Sequence, residues 1–242
     1  RYASTLFLPG VHRRPMLAIY AFNVEISRVR DQVSQPLPGQ MRLQWWIDLL
    51  AVQDHGGIEG NPVASELLWA IRTWRLPVER LAQLIIEHEF DLYDDPMPSL
   101  SALEGYANDT ASTLFACCAR ILVRPLEAID HVARHAGLAY GMIDVINKLP
   151  QDTARRQLFL PQQFLQQHGS SVEEVFAGKQ TPQNRAAVDQ LVDEASRQLK
   201  TALALLREVP VEVQPAFLPL ALVRRDIKRM QRRDNDPFVL RR

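Results

Sequence analysis

An all-helical fold is what this sequence predicts, on three observations. Apolar residues recur at three- and four-residue spacing along nearly the whole chain, the repeat of a helix with one buried face. Alternation with period two, the mark of a half-buried strand, is scarce. Proline, glycine and Ser/Thr positions that start and stop helices separate the periodic runs. At 242 residues the chain can bury a sizeable core, in one large domain or two small ones.

The first helix is expected from about Pro15 to Val33, with Pro15 in its first turn and Pro36 and Pro38 beyond its end. A second, roughly Gln40 to Val52, turns Leu43, Trp46, Ile47 and Leu50 inward, and Gly56 and Gly57 then break the chain. Val63–Trp74 and Val78–Leu92 are the next two, parted by Pro77. Ser99 or Ser101 caps a helix running to about Leu122, and Glu104 completes a capping box with Ser101. Pro125 opens another that reaches about Lys148. After a loop around Arg155–Pro161 come short helices near Gln162–Gln167 and Val172–Phe176. A long helix follows Thr181-Pro182, and a last one covers roughly Pro215 to Arg233.

Lys and Arg balance Asp and Glu, 28 against 28. A nucleic-acid partner, which calls for a net basic surface, is therefore not expected. No apolar run approaches the roughly 20 residues of a membrane-spanning helix. The chain begins at Arg1 rather than Met, which is compatible with removal of a targeting segment. Cys117 and Cys118 are adjacent on a helical pattern, where neighbours point in different directions, so no disulfide is expected and a reducing compartment fits.

Three clusters have the residue types that carry chemistry. Glu87, Glu89, Asp91, Asp94 and Asp95 form a carboxylate-rich stretch. It is either a solvated helix end or a place where Asp91 faces a cavity and helps hold a cation. Asp144, Lys148 and Asp152 are spaced by four and four, which on a straight helix gives them one face. Carboxylates so placed can bridge Mg²⁺ that holds a diphosphate, because hard cations take oxygen ligands. Lys148 between them, and Pro150, which cannot continue a regular helix without a clash, favour instead a surface Asp–Lys pair with Asp152 in a loop. Arg155 and Arg156 are either an anion clamp, with forks matched to phosphate oxygens, or two ordinary loop arginines. The histidines, His12, His55, His88, His131, His135 and His168, show no metal-site pattern and are expected to serve packing.

The segments Ala18-Ile-Tyr-Ala-Phe22, Met41-Arg-Leu-Gln-Trp-Trp46, Phe90-Asp-Leu92 ahead of Leu103-Glu-Gly-Tyr106, and Arg155-Arg-Gln-Leu-Phe-Leu-Pro161 share an order and spacing with a known family. Over nearly its whole length the chain resembles the squalene/phytoene synthases. That resemblance implies one domain over residues 1–242, a type I isoprenoid-synthase helical bundle around a central cavity. It also implies two aspartate motifs on facing helices, binding Mg²⁺ and the diphosphates of two prenyl donors that active members join head to head.

Carried over residue by residue, the aspartates are depleted. The register of the first motif gives Ser27-Arg28-Val29-Arg30-Asp31, which keeps only Asp31. In the second, Asp144 stands for the family's Asn, Lys148 for its central Asp and Asp152 for its final Asp. Like charges about 4 Å apart repel by about 4 kcal/mol at an effective dielectric near 20, and a divalent ion doubles this. A three-metal cluster is therefore not expected. Lys148 with Arg28 or Arg30 would meet a diphosphate directly, keeping binding while losing Lewis-acid help in ionising the donor. Ser112 and Phe115 occupy places where the family tends to have small residues beside the prenyl tail. Phe115 is either a plug or ordinary core. The resemblance thus implies Tyr20, Arg28, Tyr106, Lys148, Arg155 and Arg156 for substrate, and Asp31, Asp91, Asp144 and Asp152 for Mg²⁺ if it binds.

Ala21-Phe-Asn-Val-Glu25 and Val209-Pro-Val-Glu-Val-Gln-Pro-Ala-Phe-Leu218 more closely resemble a diverged subgroup of that family. It contains the mitochondrial complex I assembly factor 6 and its bacterial relatives. The implied role is in biogenesis of the respiratory NADH dehydrogenase, with complex I subunits as partners and without prenyl transfer. The alternatives are a Mg²⁺-dependent prenyltransferase making a squalene- or phytoene-type product, and a helical lipid- or protein-binding module. The expected location is the bacterial cytoplasm, peripheral to the inner membrane, or the matrix side in a eukaryote. In Arg224–Arg233 a helix would expose Arg225, Lys228, Arg229 and Arg232 while Ile227 and Met230 pack. That basic face either complements the helix dipole or docks on an anionic membrane.

Overall fold

The computed structural model describes residues 5, 6, 8–51, 60–123, 126–232 and 235–239. Val52, His55, Gly56, Gly57, Pro125 and Arg233, named above, lie outside them. Among the described residues there are eleven α-helices and no strand.

Helix α1 spans Gly10–Ser27 and buries Met16, Ile19, Phe22 and Ile26, one stripe at helical spacing. It starts earlier than the sequence predicts, placing Pro15 inside rather than in the first turn, and it stops at Ser27. A short 3₁₀ turn, Arg30–Gln32, follows. Helix α2, Pro36–Ala51, begins on the proline expected to lie outside any helix, since Pro tolerates a first turn whose N–H groups are unpaired anyway. Its Trp46 meets Phe22 edge-on at 5.3 Å. Leu43, Trp46 and Leu50 are buried as expected, whereas Leu49 replaces Ile47 as the fully buried neighbour.

Asn61 caps α3 (Pro62–Trp74) by accepting from Val63 and Ala64 N–H. Helix α4 covers Val78–Glu87, and Phe90–Leu92 forms a separate 3₁₀ turn instead of a last α-helical turn. Ser99 caps α5 (Leu100–Ala107) through the Ala102 N–H, so the Ser101–Glu104 capping box does not form; Ser101 is already inside the helix. A π-helical turn, Asn108–Ser112, joins α5 to α6 (Thr113–Leu122) in one continuous rod.

Helix α7, Glu127–Ala154, is the central element, burying twelve residues from Ile129 to Leu149. Gly137 lies against Ser112, where an added Cβ would overlap Ser112 Cα and N, and a Cβ at Gly141 would stand 2.8 Å from Ala107 Cβ. Small residues thus bring α7 against the π turn. The expectation that Pro150 ends this helix is corrected, because α7 runs through it for another turn. The proline forfeits one hydrogen bond four residues from the helix end, while Leu149 and Ile146 stay buried and Thr153 Oγ1 donates to Leu149 O at 2.8 Å.

Helices α8 (Gln162–Gln167) and α9 (Val172–Phe176) form where expected. Helix α10, Pro182–Leu205, is capped by Thr181 and lies along α7 in the most extensive helix contact of the molecule. The last stretch splits into a 3₁₀ segment, Val211–Phe217, and α11, Leu220–Met230. Ile227 and Met230 pack as predicted. Arg229 does not stay in solvent, because the buried Asp226 draws it to 3.2 Å. No helix among the described residues is long and apolar enough to cross a membrane.

Candidate functional site

A cavity of about 360 Å³ lies between the C-terminal half of α7, the α5–π–α6 rod, the end of α1 and the 90–92 turn. The wide π turn helps form it, since Thr110 and Ala111 line the wall and Thr110 Oγ1 folds back to Tyr106 O at 2.6 Å. Its inner wall is apolar, with Leu103, Ala107, Leu114 and Val145. Its mouth is charged.

Because α7 continues past Pro150, Asp144, Lys148 and Asp152 share one helix face and all line the cavity. Lys148 Nζ bridges to Asp144 Oδ2 at 2.7 Å, with the lysine side chain 52% exposed. Burial works against that ammonium, but Asp144, Asp152 and Asp91 outweigh it, so the lysine holds its proton more tightly than usual. Asp152 has no hydrogen bond to its carboxylate among the described residues. Burial pushes its pKa up to about 7; Lys148 opposes the shift and Asp144 and Asp91 add to it. Asp31, on the 3₁₀ turn after α1, is bridged by Arg155 from the far side of the mouth. Arg30 reaches Asp94 at 3.1 Å.

Deeper in, Asp91 is fully engaged. It accepts from Tyr106 Oη at 2.9 Å, its other oxygen meets His88 Nδ1 at 2.7 Å, and its backbone carbonyl accepts from Gln157 Nε2 at 2.9 Å. Burial, then the negative charge of Asp91, hold the Tyr106 phenol well above its ordinary range. The loop carrying Gln157 is seated by two backbone bonds of 2.8 Å, Met97 N–H to Leu158 O and Gln162 N–H to Met97 O.

Seven of the ten residues expected at the site therefore line one cavity: Asp31, Asp91, Tyr106, Asp144, Lys148, Asp152 and Arg155. Three do not. Tyr20, one turn ahead of Asn23 on α1, packs against the core. Arg28 is exposed at the C-cap of α1, and because the helix ends there, the following turn presents Arg30 to the cavity instead. Arg156 takes a left-handed φ of 59°, which carries its guanidinium away to stack 5.1 Å over Phe176. His88 was missed. Assigned to packing from sequence, it is buried in the cavity wall against Asp91 and Tyr106, and the three-residue spacing to Asp91 was the available signal. Phe115 lies outside the cavity, stacked on Phe217 at 5.6 Å and edge-on to Tyr140, which does line it.

The carboxylates suit a metal cluster poorly as arranged. Arg155 and Lys148 neutralise Asp31 and Asp144, Asp91 is spent on Tyr106 and His88, and among the described residues no three His, Cys, Asp or Glu side chains stand close enough to share an ion. The crystal structure of squalene synthase HpnC from Alicyclobacillus acidocaldarius matches this fold with a TM-score of 0.80, covering 93% of this chain and 85% of that one at 18% identity. The sequence model described as squalene/phytoene synthase matches residues 1–242, and the chain belongs to that family. Among its relatives is the mouse protein named NADH dehydrogenase (ubiquinone) complex I, assembly factor 6, 35% identical over 238 residues, 98% of this chain and 71% of that protein. The human protein of the same name is 33% identical over the same span and coverage.

Proposed function

We propose that this member of the family does not couple prenyl donors, that it works in the assembly of respiratory complex I, and that its cavity binds a prenyl diphosphate through side-chain cations. The observation carrying this reading is the pairing of Arg155 with Asp31 and of Lys148 with Asp144. Each pair sets a cation beside a carboxylate and cancels its charge at the cavity mouth, where a coupling enzyme gathers divalent ions. Arg30, Lys148 and Arg155 can exchange their carboxylate partners for diphosphate oxygens, an exchange that arginine forks favour. The relatives at 33–35% identity support the assembly role.

A deletion strain should show reduced complex I content, and normal content would sink the assembly role. Purified protein incubated with farnesyl diphosphate and Mg²⁺ should release no diphosphate. The second reading, a Mg²⁺-dependent prenyltransferase, is favoured by Asp31, Asp91, Asp144 and Asp152 lining one cavity. Release of diphosphate with formation of a squalene-type product would establish it.

A further inference from the structure

We propose that a small pocket between the start of α4, the end of α6 and the start of α7 docks an acidic segment of another protein, which sets one carboxylate on Arg120. The pocket shares no lining residue with the central cavity, so this inference stands apart from the ligand reading above. Its volume is about 30 Å³, and Pro77, Arg80, Ala119, Arg120, Leu126 and Asp130 are among its walls. Arg120 makes no hydrogen bond or ion pair among the described residues, although its Nε is buried. By contrast, Arg14, Arg30 and Arg155 each reach a carboxylate. A buried charged donor without an acceptor is costly and calls for one. The Nε–H and a neighbouring Nη–H of a guanidinium form a fork that takes a carboxylate side-on.

Three features favour a carboxylate carried on a polypeptide. At about 10–15 Å³ for each water-sized group, the space takes two or three of them, which suits the two oxygens of a carboxylate better than the bulk of a phosphate. Asp130 stands in the same wall, bridged to Arg80 at 3.0 Å, and repels a phosphate dianion more strongly than a monoanion. Arg120 and Val123 also line an adjoining open depression with Trp74, Arg75, Ile121 and Leu122. There Arg75, exposed at the end of α3, makes no ion pair among the described residues. Trp74 and Leu122 offer an apolar bed for the residues beside the carboxylate, and the pairing of Trp with Arg is typical of protein interfaces. A nucleic acid or a membrane surface would call for a broad basic face, which Glu79, Glu127 and Asp130 interrupt here.

The test follows the arginine Nε–H signals of the whole chain by NMR, with isotope-labelled arginine and with the Arg120 signal identified by its loss in Arg120→Lys. The probes are a short peptide of alternating Glu and Leu, its counterpart of Gln and Leu, inorganic phosphate, and phosphatidylglycerol vesicles. The acidic peptide should move the Arg120 signal with a Kd below about 1 mM, and the neutral one should bind at least about tenfold more weakly. In calorimetry Arg120→Gln, checked for folding by circular dichroism, should lose about tenfold in affinity for the acidic peptide. Asp130→Asn releases Arg80 and removes a like charge, so it should bind that peptide severalfold more tightly, an effect that a merely structural arginine pair would not produce. An Arg120 signal unmoved by the acidic peptide would overturn the inference, as would a folded Arg120→Gln protein that binds as well as its parent. So would an Asp130→Asn protein that binds no more tightly, and this result decides alone if Arg120→Gln does not fold. Phosphate or vesicles bound in preference to the peptide would show a small-anion or membrane site instead and would equally overturn it.

Discussion

Reversing one charge at the cavity mouth separates a metal-independent anion site from a metal-dependent one. In Lys148→Asp, residues 144, 148 and 152 become three carboxylates on one face of α7. The lost contact is the 2.7 Å bridge to Asp144. With the lysine side chain about half exposed, solvent screening limits its value to about 0.2–1 kcal/mol. The two new like-charge pairs at four-residue spacing each cost about 0.2–0.5 kcal/mol more. The variant should therefore fold, melting a few degrees lower. Anion affinity changes by more. An ammonium about 4 Å from a diphosphate oxygen contributes about 1 kcal/mol in water and about 4 kcal/mol near a dielectric of 20. At this half-open mouth the loss in EDTA should be tenfold or greater, and reversal rather than neutralisation adds repulsion. Calorimetry with farnesyl S-thiolodiphosphate should show unaltered protein binding in EDTA and the variant binding only when Mg²⁺ is supplied. Unaltered protein that loses all affinity in EDTA, or a variant as tight in EDTA as its parent, would refute the charge argument.

Asp152→Asn should flatten the dependence of stability on pH. A carboxyl raised from its ordinary value to about 7 contributes fully below about pH 4, and that contribution is lost as pH rises through about 7. Melting curves of the parent should fall across that window, those of the variant should not, and the variant should melt higher at pH 8. Gly137→Ala should cost about 1–3 kcal/mol or more, read from urea unfolding, because the new methyl meets Ser112 backbone rather than a movable side chain. A neutral outcome would mean that α7 and the π turn are less tightly apposed. Tyr106→Phe removes a 2.9 Å donor from the half-buried Asp91 and should cost about 1–3 kcal/mol, whereas equal stability would show that water replaces the phenol.

Most helices were legible because their signals are local. Asn61 and Thr181 cap the helices that begin beside them, and α3, α8 and α9 follow the expected bounds to within a residue or so. Errors fell at prolines. Pro15 and Pro150 sit inside helices because burial of Met16, Ile19, Ile146 and Leu149 outweighs one missing hydrogen bond, a balance that depends on partners distant in sequence.

The sequence by itself determined an all-helical chain, its family and seven of the cavity's charged and polar residues, since periodicity, caps and motif spacing are written in consecutive positions. Only tertiary structure decided which cation meets which anion. Arg155 finds Asp31 from 124 positions away, Arg30 rather than Arg28 faces inward because α1 ends at Ser27, and His88 is captured by Tyr106 from α5. Ion pairs and cavity walls join side chains from separate helices, and their geometry exists only once those helices have packed.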